Sequence, residues 1–99
     1  MSRTVDIETR IVSPQSGETI ELPRADFVRL LIDPAGTLPS LTIQFPSDPV
    51  DGDVVQISSS EMLASVAMTN GTVLSAKPSF AADAFGTWVF GAGKWFRIG

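Results

Sequence analysis

Apolar and polar residues alternate in short runs along this chain, and clusters of Pro, Gly, Asp and Ser separate the runs. Period-two alternation between turn residues predicts β-strands rather than helices. In the first run, residues 4–12, Val5, Ile7 and Ile11 fall on one side and Asp6, Glu8 and Arg10 on the other. Pro14-Gln15-Ser16-Gly17 reads as a turn, and residues 18–22 as a short strand with Ile20 and Leu22 on one face. Phe27-Val28-Arg29-Leu30-Leu31-Ile32 is the most continuous apolar run and predicts a central strand, ended by Asp33-Pro34-Ala35-Gly36. Residues 41–45 alternate strictly, with Leu41, Ile43 and Phe45 inward. A tight turn at Asp51-Gly52 leads into residues 53–58, with Val55 and Ile57 inward.

Asn70-Gly71 is the strongest local signal. A two-residue Asn-Gly loop favours a type I′ hairpin, which would pair Thr69 with Thr72, Met68 with Val73 and Ala67 with Leu74. Ser58-Ser59-Ser60-Glu61 also forms a capping box, so residues 62–68 have a rival reading as a short helix. The β-branched Val66 and Thr69 favour the strand. Near the end of the chain, Phe80, Phe85, Trp88, Phe90, Trp95 and Phe96 crowd together. Gly91-Ala92-Gly93-Lys94 predicts a turn between residues 87–90 and 95–98, giving a terminal hairpin with large rings. No exact internal repeat stands out.

Composition narrows the function. A chain of 99 residues makes one domain with a modest core, for which subunit contacts are a second source of stability. There is no Cys and no His, which removes disulfides, the usual zinc, copper and haem ligands, and the commonest general base. The net charge is −4 and the seven Lys and Arg residues are scattered, so no basic patch points to nucleic acid. No apolar run approaches the ~20 residues that span a bilayer, and Met1-Ser2-Arg3-Thr4 does not open a secretory signal. The expectation is a complete product made in the cytoplasm of its host, without a membrane segment.

The candidate chemistry is sparse. Ser58, Ser59 and Ser60 have no histidine to activate them and read as a polar turn. Asp48, Asp51 and Asp53 surround Pro49 and Gly52 in a pattern that suits local turn bonding, with weak Ca²⁺ binding as the remaining reading. Gly86, Gly91 and Gly93 lack the Gly-Lys-Ser/Thr ending of a phosphate loop. Trp88, Phe90, Trp95 and Phe96 read either as core or subunit-interface packing or as a platform for stacking sugars. No catalytic residue, cofactor or metal site is expected.

The order of several elements resembles small β-structured virion modules of tailed bacteriophages, of the head decoration or cement, head-fibre and tail-fibre-tip type. The matching elements are the apolar strand before Asp33-Pro34-Ala35-Gly36-Thr37-Leu38, then Leu41-Thr42-Ile43-Gln44-Phe45-Pro46, then Asp51-Gly52-Asp53-Val54-Val55-Gln56-Ile57, the Asn70-Gly71 hairpin, and Lys94-Trp95-Phe96-Arg97-Ile98. The resemblance spans residues 26–99 and brings no active site with it. It implies an all-β, antiparallel β-sandwich or jelly-roll-like domain with hairpins, assembled as a homotrimer.

The expected division is an amino-terminal arm or additional strands over residues 1–24 and a β-sandwich over 25–99. The shortness of the chain favours a capsid decoration or cement protein that reinforces the head shell against the major capsid protein. A fibre tip recognising host-surface glycans, and a small accessory carbohydrate-binding module, are the alternatives. The candidate partner contacts are Val5, Ile7, Ile11, Trp88, Phe90, Trp95 and Phe96.

Overall fold

The computed structural model describes residues 5–99, and these are all-β with no helix. The first four residues, with which the predicted first run and arm begin, lie outside the described residues. Eight strands follow: β1 (Ile7–Val12), β2 (Thr19–Glu21), β3 (Phe27–Ile32), β4 (Leu41–Gln44), β5 (Val54–Ser59), β6 (Val66–Thr69), β7 (Phe85–Gly91) and β8 (Lys94–Arg97). A five-stranded sheet has the order β1-β3-β5-β7-β8, and a three-stranded sheet the order β2-β4-β6.

The expected antiparallel pairing holds only at the carboxy-terminal end. β1–β3, β3–β5, β2–β4 and β4–β6 are parallel, whereas β5–β7 and β7–β8 are antiparallel. Two parallel neighbours need a crossover between them. Here the crossover is the opposite sheet: after each of β1 to β4 the chain moves to the other sheet and returns one level further on, in the original direction. Ile7 is level with Phe27, 20 residues on, and Phe27 with Val54, 27 residues on. β1 is thus an integral strand, paired with β3 along its whole length, and both β1 and β2 belong to the sheets built by residues 25–99.

Alternation fills the space between the sheets. Val28, Leu30 and Ile32 from β3, Val55 and Ile57 from β5 and Trp88 from β7 meet Leu41, Ile43 and Phe45 from the β4 segment, and all are buried. The inward assignments of residues 41–45 and 53–58 are therefore observed.

Asn70-Gly71 makes no hairpin, although both residues have positive φ, 67° and 147°. β6 pairs with β4 instead, Thr69 facing Gln44. The Asn70 amide donates to the Phe45 carbonyl (2.8 Å) and to Ser47 Oγ (3.0 Å), tying one level to the next. The rival helix over 62–68 does not form either: Leu63 bridges Leu38 and Phe80, and Val66 begins β6. The two-residue hairpin with positive φ at both positions is Ala92-Gly93, at 50° and 75°, between paired Gly91 and Lys94.

The two ends of this coil differ. At the carboxy-terminal end, β8 has β7 on one side and residues 72–74 on the other, with Trp95 N donating to Thr72 O (2.8 Å) and Leu74 N to Trp95 O (2.9 Å). Phe45 meets Trp88 and Trp95 edge-on, at centroid distances of 5.8 and 5.2 Å. Edge-to-face pairs of this kind add to the burial of the rings. Trp88 Nε1 donates to Leu74 O at 3.1 Å, so the indole is buried with its polar atom satisfied. At the opposite end, β1 and β2 have one partner strand each, and among the described residues no strand lies along their outer edges.

Gly86 sits opposite Ile57 on the inner face, and the Trp88 ring lies against it. A Cβ there would fall 2.6 and 2.9 Å from two carbons of that ring. Gly86→Ala should therefore lower stability by about 1–3 kcal/mol, the usual cost of overpacking. Gly91→Ala, where a Cβ meets nothing within 4 Å, is the control and should melt close to the parent. Gly71→Val forces a β-branched residue to positive φ and should cost at least about 1 kcal/mol in a denaturant titration.

Candidate functional site

Each strand of the five-stranded sheet sends every second side chain outward, and the in-register pairing turns these into rows across the sheet. One row is Ile7, Phe27, Val54, Val89 and Phe96. A second is Ile11, Leu31, Ser58 and Phe85. Between them runs a polar row of Thr9, Arg29, Gln56 and Thr87, with the Arg29 guanidinium 5.6 Å from the centroid of the Phe27 ring. Ile98 adjoins this face, its amide donating to Thr87 O at 2.8 Å.

The exposure is concentrated here. Ile7 is 56% exposed, Ile11 73%, Phe85 57%, Phe96 42% and Ile98 65%. Single exposed apolar residues are ordinary, but contiguous ones on one sheet face mark an interaction surface.

Of the seven residues singled out from the sequence, Ile7, Ile11 and Phe96 belong to this face, and Val5 is exposed just before β1. Trp88 and Trp95 do not belong to it: both are buried in the core. Phe90 is half-buried and packs against Trp95, the ring centroids 5.1 Å apart. The hairpin pleat separates the rings expected to form one platform. Phe90 pairs with Trp95, which places both on the inner side with Trp88, while Phe96 alternates to the outer side.

Phe27, Leu31, Val54, Phe85 and Val89 complete the apolar rows and were not among the residues singled out from the sequence. A signal existed: Phe85 lies three residues from Trp88 and Phe96 one from Trp95. In each pair an odd separation sends the two rings to opposite faces of a strand.

A charged corner fixes the levels of the coil where β3 and β5 begin. Arg24 Nε donates to Asp53 Oδ2 (3.1 Å) and Nη2 to Oδ1 (3.0 Å), while Nη2 also reaches Asp26 Oδ1 at 3.3 Å. The hydrogen bonds it donates to the Asp53 carboxylate raise the Arg24 pKa above its ordinary value. Asp53, only 4% exposed, also accepts the Val50 amide at 2.9 Å. Of the acidic loop cluster, then, Asp53 is held by a cation and by its own turn, while Asp48 and Asp51 are exposed. Backbone bonds continue the stack, Phe27 N to Asp6 O and Val54 N to Asp26 O, both 3.0 Å.

The uncovered end of the coil is a groove of about 650 Å³ whose walls include Arg10, Val12, Pro14, Ile20, Leu22 and Pro23. Glu8 and Arg10 lie on the inner side of β1, level with core residues Val28 and Leu30. They are tolerated there because, among the described residues, no further turn of chain covers them.

Comparison with protein-family models, with curated proteins and with solved structures finds no match to this chain, so the surface is interpreted from its own chemistry.

Proposed function

We propose that this chain is a structural subunit of a bacteriophage particle, a decoration or cement protein that reinforces the head shell as a homotrimer. The observation that carries the reading is the outer face of the five-stranded sheet, where Ile7, Ile11, Phe85 and Phe96 stand exposed in rows joined by half-buried Phe27, Leu31, Val54 and Val89. Three copies turning these faces toward a common axis bury the rows against one another. The two sheets then act as a sandwich-like knob, with loops left to meet the major capsid protein. Its work is mechanical: buried area at subunit junctions resists the separation of neighbouring shell proteins.

The glycan-recognition alternative relied on the aromatic hairpin as a stacking platform. With Trp88 and Trp95 in the core, that reading loses its large rings and is not proposed.

The test replaces Phe85 and Phe96 together by Glu. Both side chains are exposed, so the fold should survive, as judged by an unchanged circular dichroism spectrum. Sedimentation should show species built on trimers for the parent, the double variant should lose that three-fold assembly, and the variant should not bind particles. A parent that is monomeric both in solution and by its stoichiometry on the particle would overturn the reading.

A further inference from the structure

We propose that two copies of this chain join head to head through β1, antiparallel, about a two-fold axis at Thr9. This goes beyond the sheet-face reading and does not depend on it.

The polarity of the free edge sets the first condition. The Asp6 carbonyl accepts from Phe27 N (3.0 Å) and the Val12 carbonyl from Asp33 N (2.8 Å). Backbone groups alternate in direction along a strand, so residues 6, 8, 10 and 12 bond toward β3. The amides and carbonyls of Ile7, Thr9 and Ile11 therefore point off the free edge. A bonded antiparallel partner must present Ile7, Thr9 or Ile11 opposite these same residues.

Charge sets the second condition. Charged side chains turned inward on an edge strand usually block edge-to-edge pairing. Here the two charges, Glu8 and Arg10, have opposite sign, stand 3.6 Å apart and flank Thr9. Antiparallel pairing centred on Glu8 sets Glu8 against Glu8, and pairing centred on Arg10 sets Arg10 against Arg10. Pairing centred on Thr9 sets each Glu8 against the Arg10 of the other copy. Like charges directly opposite destabilise and opposite charges stabilise, so the pattern blocks the neighbouring registers and leaves this one open.

The same register satisfies the apolar residues. Ile7 of each copy faces Ile11 of the other, covering side chains that are 56% and 73% exposed in the single chain. The outer rows continue from one copy into the next, and the uncovered groove at the end of the coil meets its own equivalent. The occupant is thus a second copy of this chain, because β1 is complementary to itself.

Charge reversal tests the register. Glu8→Arg and Arg10→Glu are made in separate chains, both at exposed side chains, and compared with the parent by sedimentation and native mass spectrometry. The parent should show species doubled relative to its sheet-face assembly, dimers from monomers or hexamers from trimers. Each single variant should self-associate at least about tenfold more weakly, since both cross-strand pairs become like-charged. An equimolar mixture should recover paired species containing one chain of each variant, and the double reversal in one chain should recover self-pairing. The Phe85→Glu/Phe96→Glu chain should still pair, which separates this proposal from the trimer. A parent without doubled species, single variants that pair as well as the parent, or a mixture no better than its components would each overturn it.

Discussion

Everything in this molecule follows from stacking one turn of chain on the next in register. A parallel strand cannot be reached by a short turn. The chain meets that requirement by visiting the second sheet between successive strands of the first. The backbone of each level is then satisfied by its neighbours, and side chains at equivalent positions form continuous rows. The inner rows become the core and the outer rows become a surface with its own apolar character. Arg24 acts on this stacking directly, because its fork links Asp26 at the start of β3 to Asp53 at the start of β5. It thereby holds two levels at one height.

A stack of this kind has two ends, and each exposes strand edges and the apolar interior unless something covers it. The chain covers one end by changing its connectivity. β7 and β8 reverse direction, and Trp88 and Trp95 fill the last space between the sheets against Phe45. Residues 72–74 and 78–80 cover the remaining backbone there, the latter bonding to Leu63 and Val66. At the other end no strand among the described residues pairs with the outer edges of β1 and β2, and Glu8 and Arg10 stand where core residues would stand in an interior turn. This asymmetry places Trp88 and Trp95 in the core at one end and leaves the charged residues of β1 exposed at the other.

The outer face gains its apolar character from residues that belong to no single segment. Ile7, Phe27, Val54, Val89 and Phe96 come from five strands and become neighbours only through register. Arg29 lies within this face without breaking it, since its guanidinium stacks over Phe27. An arginine used in this way contributes apolar stem and planar surface as well as charge.

Alternation alone determined that the chain is all-β, where most strands lie, and which side chains of residues 27–32, 41–45 and 53–58 face the core, because period two is a property of the strand itself. It also carried an unread repeat: Asp6, Asp26 and Asp53 each stand immediately before a six-residue strand, and Ser13-Pro14 and Asp33-Pro34 immediately follow the first two. Unequal intervening loops, giving steps of 20 and 27 residues, hid its period. What only the tertiary structure decided is the partner of each strand. Asn70-Gly71 has the backbone conformation that its residues favour, yet the chain does not fold back there: β6 pairs with β4, and residues 72–74 bond to β8 instead. Local propensity acts over a few residues, whereas parallel pairing joins residues twenty or more apart. For the same reason Phe85 and Phe96 could be seen as aromatic in the sequence, but only register could place them on the outer face, and Trp88 and Trp95 in the core.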